Sequence, residues 1–450
     1  MSAEAVNRLE SEPIGPLLLK FSLPAIVSMT IVSLYNIISS IFIGQGEGPL
    51  AITGLAVTFP FMNLVLAVCM MVALGAATIC SIELGAKRPE RAARVLGNAV
   101  VLSVLLGFVF GLPCLYFLDP VLRLFGASDA TLPYAREYME IILWGAPVSN
   151  TMVALNHLMR ASGYPTKSML VSLLSVGLNL ILTPFFIFWC HLGIRGAAIA
   201  TVLSQLAALI GMLFHFCSAR YAVHFTPGVF KVRKAIVKLI LSIGLSPFLM
   251  NSCACLVVVV INLSLRHYGG DLAIGAYGIA NRLLLLFAMI IFGLTQGMQP
   301  LVGFNFGARR MDRVRLTLRY GVIAATLITS TGFLAFQLAP LPLARMFTTH
   351  PELIDTAVNG LRLCTPAFFL VGAQIVIAAY FQSMGRASVA IFLSLSRQLL
   401  FLIPGLLLLP LYFGVDGVWM SMPVADVCAF LVTAFILRRS LGASGRRAPA

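Results

Sequence analysis

Charged residues are scarce in this chain of 450 residues: Asp, Glu, Lys and Arg together make up 10% of it, whereas hydrophobic residues make up 60%. The mean hydropathy is +0.97. A water-soluble globule of this length would lack the polar residues that it needs to cover its surface. The composition therefore excludes a soluble domain and indicates an integral membrane protein.

Residue patterns that support enzyme chemistry are also missing. The nine cysteines and six histidines are scattered along the chain, and neither Cys253 nor Cys255 has a nearby histidine that would complete a zinc site. The sequence contains no Ser-His-Asp arrangement and no glycine-rich phosphate loop with its lysine, which excludes an ATPase site. We therefore expect no enzymatic activity and no metal or other cofactor, and any active transport must draw on an ion gradient.

Long uncharged stretches are what the chain has in abundance. Eleven intervals of at least 18 residues contain no Asp, Glu, Lys or Arg, and a twelfth, from Gly417 to Leu437, is interrupted only by Asp426. A helix needs about 20 apolar residues to cross the hydrocarbon of a membrane. The sequence therefore predicts an all-α integral membrane protein with twelve transmembrane helices.

A short charged turn occurs twice and divides the chain into halves. Residues 83–88 and 305–310 each close an apolar stretch, and their glycines, Gly85 and Gly307, lie 222 positions apart (307 minus 85). The same offset aligns further segments over roughly 80 residues, which indicates a duplication. Because six spans per half leave both halves in one orientation, we predict two six-helix lobes related by a pseudo-two-fold axis along the membrane normal, with a cavity between them.

The positions of the basic residues predict the topology. With the N-terminus in the cytoplasm, 23 of the 31 basic residues lie in inner segments and six at outer ends, which is a strong positive-inside bias. The expected boundaries are a cytoplasmic N-terminal tail at 1–16, an N-lobe at 17–218, a cytoplasmic inter-lobe linker at 219–238, a C-lobe at 239–437 and a cytoplasmic C-terminal tail at 438–450.

The net charge of +15 is explained by a solvated inner face that lies beside anionic lipid, so it does not indicate a further partner. No soluble domain is present that could carry a nucleic-acid-binding patch, so we expect no nucleic acid. The first residues are unlike the basic start of a cleaved signal peptide, and the first span is expected to be retained. We expect a monomeric, multi-pass protein of the cell (inner or plasma) membrane with both termini in the cytoplasm.

Several segments, taken together in order and spacing, resemble the multidrug and toxic compound extrusion (MATE) transporters, in particular their MepA-like bacterial branch. The segments are residues 35–38, 42–44, 83–88, 160–165, 296–300, 305–310 and 414–419. The resemblance covers essentially residues 17–437. It implies an antiporter that expels lipophilic, often cationic small molecules such as drugs in exchange for H⁺ or Na⁺.

The chain departs from that family at the N-lobe cation site. Where many bacterial relatives carry an aspartate in the first span this chain has Ser39, and Thr183 stands where a second aspartate usually precedes the proline of span five. The matching Asn179 and Thr201 are neutral, and the alternative is that they only form hydrogen bonds between helices. A carboxylate is what binds Na⁺ or titrates with H⁺, so the coupling ion cannot be transferred from the family.

Few acidic residues remain inside the spans, and Asp426 is the deepest of them. At 1.5 Å per residue, Arg397 lies about 14 Å and Asp426 about 18 Å from the inner ends of spans eleven and twelve. An unpaired charge at that depth costs at least about 2.5–3.5 kcal/mol. We therefore predict an Arg397–Asp426 contact, which is either a structural pair or a proton-coupling switch. Glu140, about 12 Å from the outer side of span four, is a further coupling candidate and a candidate partner for Arg282.

The substrate cavity is expected to be mostly apolar with a few polar groups. Methionine suits a promiscuous surface because its side chain is flexible, although such residues more often simply pack against lipid or in the core. The candidate lining residues are Asn36, Met62, Met70, Arg282, Phe287, Met289 and Met298.

Three functions are compatible with this pattern. We favour cation-coupled efflux of small lipophilic compounds. The alternative is a flippase or exporter of a lipid-linked saccharide or other amphiphile, which would need a cavity rich in arginine, and only Arg282 and Arg397 are available. A membrane-embedded enzyme would need a convergent catalytic cluster, and the sequence contains none.

Overall fold

A computed structural model describes residues 8–47 and 49–445 of the chain, without the side chains of residues 36, 37, 40, 41, 44, 45, 49, 52, 56, 271 and 442–445. Within these ranges the chain is helical almost throughout and contains no β-strand. The long uncharged stretches of the sequence predicted this all-α architecture.

Six helical spans form the first half of the chain. They are α1 (Ile14–Glu47), α2 (Pro49–Gly85), α3 (Pro89–Tyr116), α4 (Leu132–Trp144 and Ala146–Ala161), α5 (Pro165–Pro184, continued by a π-helical turn at Phe185–Trp189) and α6 (Gly193–Cys217). The break in α4 comes just before Pro147, which has a fixed φ angle and no N–H to donate.

Six further spans form the second half. They are α7 (Lys234–Gly270), α8 (Leu272–Gly307), α9 (Met311–Leu338), α10 (Pro351–Cys364 and Phe368–Ser383), α11 (Ala387–Leu395, a π-helical turn at Ser396–Leu402, and residues 403–413) and α12 (residues 415–445). Gly270 and Gly414 separate α7 from α8 and α11 from α12. Their φ angles of 66° and 58° lie in the left-handed region that glycine adopts without steric cost.

The number of membrane crossings agrees with the prediction. In the described ranges, nine helices are long and apolar enough to cross a membrane, and the two segments of α10, bent by 56°, make a tenth. Residues 387–441 count there as one helix but divide at Gly414 into two. The two short segments of α4 complete a twelfth crossing, so the fold has the expected twelve spans.

The two copies of the charged turn have the same backbone conformation. Lys87 and Arg309, which are equivalent under the offset of 222, both lie in the left-handed region with φ angles of 58° and 59°. The N–H of the residue after each donates to the carbonyl oxygen five residues earlier at 2.9 Å, a bond with which many helices end. We call the end of the bundle that carries these turns, residues 83–88 and 305–310, the basic end, and the opposite one the far end.

The close contacts between α2 and α8 come in pairs that are related by the same offset of 222. A Cβ at Gly85 would lie 1.9 Å from the carbonyl oxygen of Phe304, and a Cβ at Gly307 would lie 2.0 Å from that of Ile82. Each pair becomes the other when 222 is added or subtracted. Reciprocal contacts of this kind are what a two-fold axis produces, and small residues at helix crossings let membrane helices approach this closely.

The pseudo-two-fold axis passes close to Ser81 and Gly303, which are equivalent positions in the two halves. A Cβ at Gly303 would lie 2.8 Å from the Cβ of Ser81, and these positions are again 222 apart. Because α2 and α8 both run from the far end to the basic end, the axis lies along the helices and therefore along the membrane normal. The predicted pseudo-two-fold relation of the lobes is confirmed.

Buried apolar side chains form three clusters that show how the lobes meet. The first cluster draws on α2, α3 and α4 of one half and on α8, α9 and α10 of the other, in their parts near the basic end. The second contains only residues of the second half, and the third only residues of the first, both toward the far end. The lobes therefore share one core at the basic end and have separate cores at the far end.

Replacing Gly85 by alanine is expected to lower the free energy of unfolding by about 1–3 kcal/mol, the usual range for overpacking a core, because the added Cβ would overlap the carbonyl oxygen of Phe304. Gly278→Ala on α8 is the matched control, since nothing lies within 4 Å of a Cβ there. Alanine also has the higher helix propensity. Thermal unfolding of the purified variants measures both effects, and equal melting temperatures would contradict the close packing of α2 and α8.

Candidate functional site

A cavity of about 250 Å³ lies between the lobes, on the far side of the shared core. Its wall comes from α1 and α2 of the first half and from α7, α8, α10 and α11 of the second half. The lobes separate beyond this level, because each has its own core there. The cavity is therefore closed at the basic end and faces the far end.

Carboxamide and methionine side chains dominate the polar and flexible parts of the wall. A carboxamide can donate and accept hydrogen bonds, and the unbranched methionine side chain adapts to ligands of different shape. The carboxamides are those of Asn251, Gln296, Gln299, Gln374, Gln382 and Gln398, and the methionines are Met29, Met70, Met250 and Met289. Such a wall can hold compounds of varied shape without a fixed pattern of charges.

One ionisable side chain lines the cavity among the residues that the structure describes, and it is Arg397. Its Nε lies 2.6 Å from Oδ1 of Asp426, to which it donates a hydrogen bond. The Arg397 side chain is 32% exposed, whereas that of Asp426 is 4% exposed. The contact predicted from helical depth is therefore present, with the cation at the cavity wall and the carboxylate behind it.

The π-helical turn of α11 carries Arg397. A π-helical turn contains an extra residue relative to the α-helix, and such turns occur often at functional sites. Two carboxamides that line the same cavity, those of Gln374 and Gln398, have buried Oε1 atoms with no hydrogen-bond partner in the described part of the chain. These two buried acceptors are therefore unsatisfied in this conformation.

The candidate cation-site residues of the first half form a neutral hydrogen-bonded cluster. The Asn179 Nδ2 atom donates to Oγ1 of Thr201 at 3.1 Å, and Thr183 donates to Oδ1 of Asn179 at 2.7 Å. The hydroxyls of Tyr35 and Thr201 lie 3.5 Å apart, and Ser39 neighbours Tyr35. The four candidates Ser39, Asn179, Thr183 and Thr201 are thus brought close together.

Polar contacts between the lobes close the cavity at the basic end. Arg160, which is buried, donates hydrogen bonds to Gln296 of α8 and, at 3.1 Å, to Asn156. Gln299, one helical turn further along α8, donates to the hydroxyl of Thr78 on α2 at 2.7 Å. These bonds join the first half to the second directly below the cavity.

A second set of contacts ties the start of the chain to the second half. Arg313 at the beginning of α9 donates to the carbonyl oxygens of Leu9 and Glu12 at 3.2 and 2.7 Å. Arg310 pairs with Glu10 at 2.9 Å. The segment that leads into α1 of the first lobe is therefore held by the repeated turn of the second lobe.

The structure divides the candidate cavity residues into two groups. Met70 and Met289 line the cavity. Met298 lies nine residues after Met289, which is two and a half helical turns and hence the opposite face of α8, and it is fully buried in the shared core. Phe287 packs in the core of the second half, 5.3 Å from the ring of Phe336. Met62 packs against the core of the first half.

The remaining candidates lie away from the cavity or outside the described side chains. Glu140 and Arg282 are both exposed, and within the described residues no ion pair joins them, because they belong to different lobes at the end where the lobes separate. The side chain of Asn36 lies outside the described residues.

The carboxamides of the wall are the functional residues that sequence reasoning missed. A signal for two of them was present: Gln296 and Gln299 are three residues apart, hence on one face of a largely apolar helix. Polar side chains in a membrane helix that face the bundle interior often mark a substrate path. Gln374 and Gln398 gave a weaker signal, because Gln382 follows Gln374 only after eight residues and Gln398 stands directly beside the charged Arg397.

The fold and the cavity define the class of the molecule: a multi-pass membrane transporter built from two duplicated six-helix lobes around an intramembrane cavity. The MatE family model matches residues 24–185 and 247–407, once in each half. These matches cover more than half of the chain, and the chain therefore belongs to the MatE family.

Individual relatives agree with this assignment. The multidrug export protein MepA of Staphylococcus haemolyticus (strain JCSC1435) is 29% identical over 432 residues, which are 96% of this chain and 95% of that protein. A solved structure of the MATE multidrug transporter DinF-BH is 34% identical, with a TM-score of 0.88 and coverage of 95% of this chain and 96% of that one. A MATE family transporter of the MOP superfamily in an outward-facing conformation is 24% identical, with a TM-score of 0.92 and coverage of 98% and 99%, and shares the fold.

The two faces of α8 can be distinguished by thiol labelling. In a variant without the nine native cysteines, Met289→Cys is expected to react with a water-soluble maleimide because it lines the cavity, whereas Met298→Cys should react only after unfolding. Mass spectrometry of the intact purified protein measures the extent of labelling. Equal labelling rates at the two positions would show that the described rotation of α8 is wrong.

Proposed function

We propose that the protein exports lipophilic, often cationic small molecules such as drugs by alternating access, with an ion gradient as the energy source. The observation that carries this proposal is the cavity between duplicated lobes, closed at one end, with the Arg397–Asp426 pair at its wall. The near full-length similarity to multidrug export proteins supports it. Transport changes no covalent bond, so the proposed activity is not enzymatic and requires no cofactor besides the coupling ion.

The basic end is proposed to face the cytoplasm. The support for this orientation is the concentration of basic residues in the segments at that end, because lysine and arginine are enriched in cytoplasmic loops. Both chain termini would then be cytoplasmic, and the described conformation would open outward. A second state, with the shared core separated at the basic end, would admit substrate from the cytoplasm to the same cavity, and one chain holds both lobes that this cycle requires.

We propose H⁺ as the coupling ion. Asp426 is the one carboxylate among the described residues that is fully buried in a span, and its near partner is the cation of Arg397. A bound metal cation such as Na⁺ needs several oxygen ligands around it, and a guanidinium at 2.6 Å would repel such an ion. A proton needs only the carboxylate itself.

Protonation of Asp426 would change the charge of the cavity wall. While Asp426 is ionised, the pair is neutral and a cationic substrate meets no net charge. Once Asp426 is protonated, Arg397 is an uncompensated cation, and at about 8 Å with an effective dielectric constant of about 20 it repels a second cation by about 2 kcal/mol. Proton and cationic substrate would then exclude one another, as antiport requires.

The Asp426→Asn variant is expected to lose proton-driven efflux while its surface expression survives, because an amide cannot release a proton. Ethidium accumulation in cells, with the H⁺ and Na⁺ gradients collapsed separately, measures the effect. Glu140→Gln is the control, since Glu140 is exposed and should be dispensable. Retained proton-driven efflux in Asp426→Asn would leave the pair with a structural role only.

A double variant separates coupling from folding. Arg397→Gln alone should reduce the yield of folded protein, because an unpartnered buried carboxylate costs about 3–5 kcal/mol. Adding Asp426→Asn removes that charge and should restore the yield. The proposal expects the double variant to fold without coupled transport, whereas full recovery of transport would assign the pair to structure alone.

Fusion reporters test the orientation. Green fluorescent protein fluoresces in the cytoplasm and alkaline phosphatase is active outside it, so a C-terminal green fluorescent protein fusion is expected to fluoresce and the phosphatase fusion to be inactive. A fusion after Tyr268, near the far end of α7, should give the reverse result. Phosphatase activity of the C-terminal fusion would overturn the proposed topology.

A further inference from the structure

A second groove lies on the surface of the second half, away from the central cavity. Its volume is about 400 Å³. It is formed where α10 packs against both α9 and α12, and its lining includes the small side chains of Ala373 and Ala434. The residues that shape it are Val322 and Thr326 of α9, Ala373 and Ile377 of α10, and Ala434 and Arg438 of α12.

The surroundings of the groove place it in contact with lipid. Large apolar side chains on α9 and α12 next to it are exposed, with Leu327, Leu431 and Phe435 each about two-thirds exposed. The walls of the groove are apolar except for Thr326 and Arg438. An apolar recess in an apolar, exposed surface of a membrane protein is filled by hydrocarbon rather than by water.

The length of the groove matches one leaflet of a bilayer. Along α12 its lining runs from Phe430 to Arg438, which is eight residues or about 12 Å of helix. Half of the hydrocarbon core of a bilayer is about 15 Å. Arg438 lies at the basic end of the groove, so a lipid chain in the groove would have its headgroup at this side chain.

The charge at the mouth of the groove selects the headgroup. Arg438 is exposed and, among the described residues, has neither an ion pair nor a hydrogen bond to another side chain, whereas Arg386 nearby along the same end donates to Ser440 at 2.8 Å. A guanidinium binds phosphate oxygens in a bidentate manner. A second arginine, Arg439, follows directly and adds positive charge at the membrane surface.

We propose that this groove is a binding site for an anionic phospholipid, with an acyl chain between α9 and α12 and the phosphate at Arg438. The lipid would contact one face of α10. Ala378 and Gln382 on the opposite face of α10 line the central cavity. Occupancy of the groove would therefore support the segment Phe368–Ser383 against the cavity. The site does not depend on the transport activity proposed above.

Native mass spectrometry of the full-length protein tests the proposal with two probes, phosphatidylglycerol and phosphatidylcholine with identical acyl chains. The wild type is expected to retain one phosphatidylglycerol about five-fold more tightly than phosphatidylcholine, the usual effect of one basic residue near a lipid surface. Arg438→Gln should abolish this preference. Arg439→Gln is the matched control and should keep it, because that side chain is rotated by about 100° around the helix and does not line the groove.

A variant that fills the groove tests the place of the acyl chain. Ala434→Phe should reduce the retention of both lipids, and Ala434→Leu serves if the larger residue prevents folding, as judged by size-exclusion chromatography. Equal loss in Arg438→Gln and Arg439→Gln, equal retention of the two lipids by the wild type, or unchanged retention in both Ala434 variants would overturn the proposal. Displacement of the bound lipid by ethidium would also overturn it, because the groove would then be a substrate site.

Discussion

The close contact of α2 with α8 at the basic end decides where this molecule can hold a cavity. Glycines at 85 and 307 let the two backbones approach until no side chain fits between them, and the apolar residues around this crossing merge the lobes into one core. Beyond the crossing each lobe packs on itself. The space between the lobes therefore begins where the shared core ends. In the proposed cycle, the same contact must separate for the cavity to open to the other side.

The duplicated backbones carry different chemistry. In the first half, Asn179, Thr183 and Thr201 satisfy one another with neutral hydrogen bonds. In the second half, Arg397 and Asp426 form an ion pair in which one partner faces the cavity and the other is buried. Removing one partner of a buried charge pair costs several times more than removing one neutral hydrogen bond. Loss of a single buried partner is therefore more costly in the second half.

Sequence alone predicted those features that depend on composition, offset and helical rise. The apolar composition indicated a membrane protein, the offset of 222 indicated the two-fold relation, and the rise per residue placed Arg397 and Asp426 at similar depth. The rotation of α8 about its own axis was not predicted, although Gln296 and Gln299 mark the face of this helix that lines the cavity. Met289 and Met298 are alike in type and span, yet one lines the cavity and the other lies in the core.

Helix boundaries at the far end could not be predicted from uncharged intervals either. The uncharged interval of span four begins only after Glu140, whereas α4 begins at Leu132 and carries charged residues near the far end, among them Arg136, which pairs with Asp119. Charges at a helix end can extend into water, so they do not mark where a helix stops. The break in α4 before Pro147 lies inside that interval. The interval is uncharged on both sides of the break, so its composition did not reveal the break.

Ser81 and Gly303 face each other at the two-fold axis. If the two lobes were separate, identical chains, the same residue type would stand at both positions. Two serines would then each add a hydroxyl group at a site where the two Cβ atoms alone would lie 2.8 Å apart. A single continuous chain is free of this restriction, because one side can keep a hydroxymethyl group while the other gives up its side chain. Fusion of the halves thus permits an asymmetric solution at the one place where strict symmetry leaves the least room.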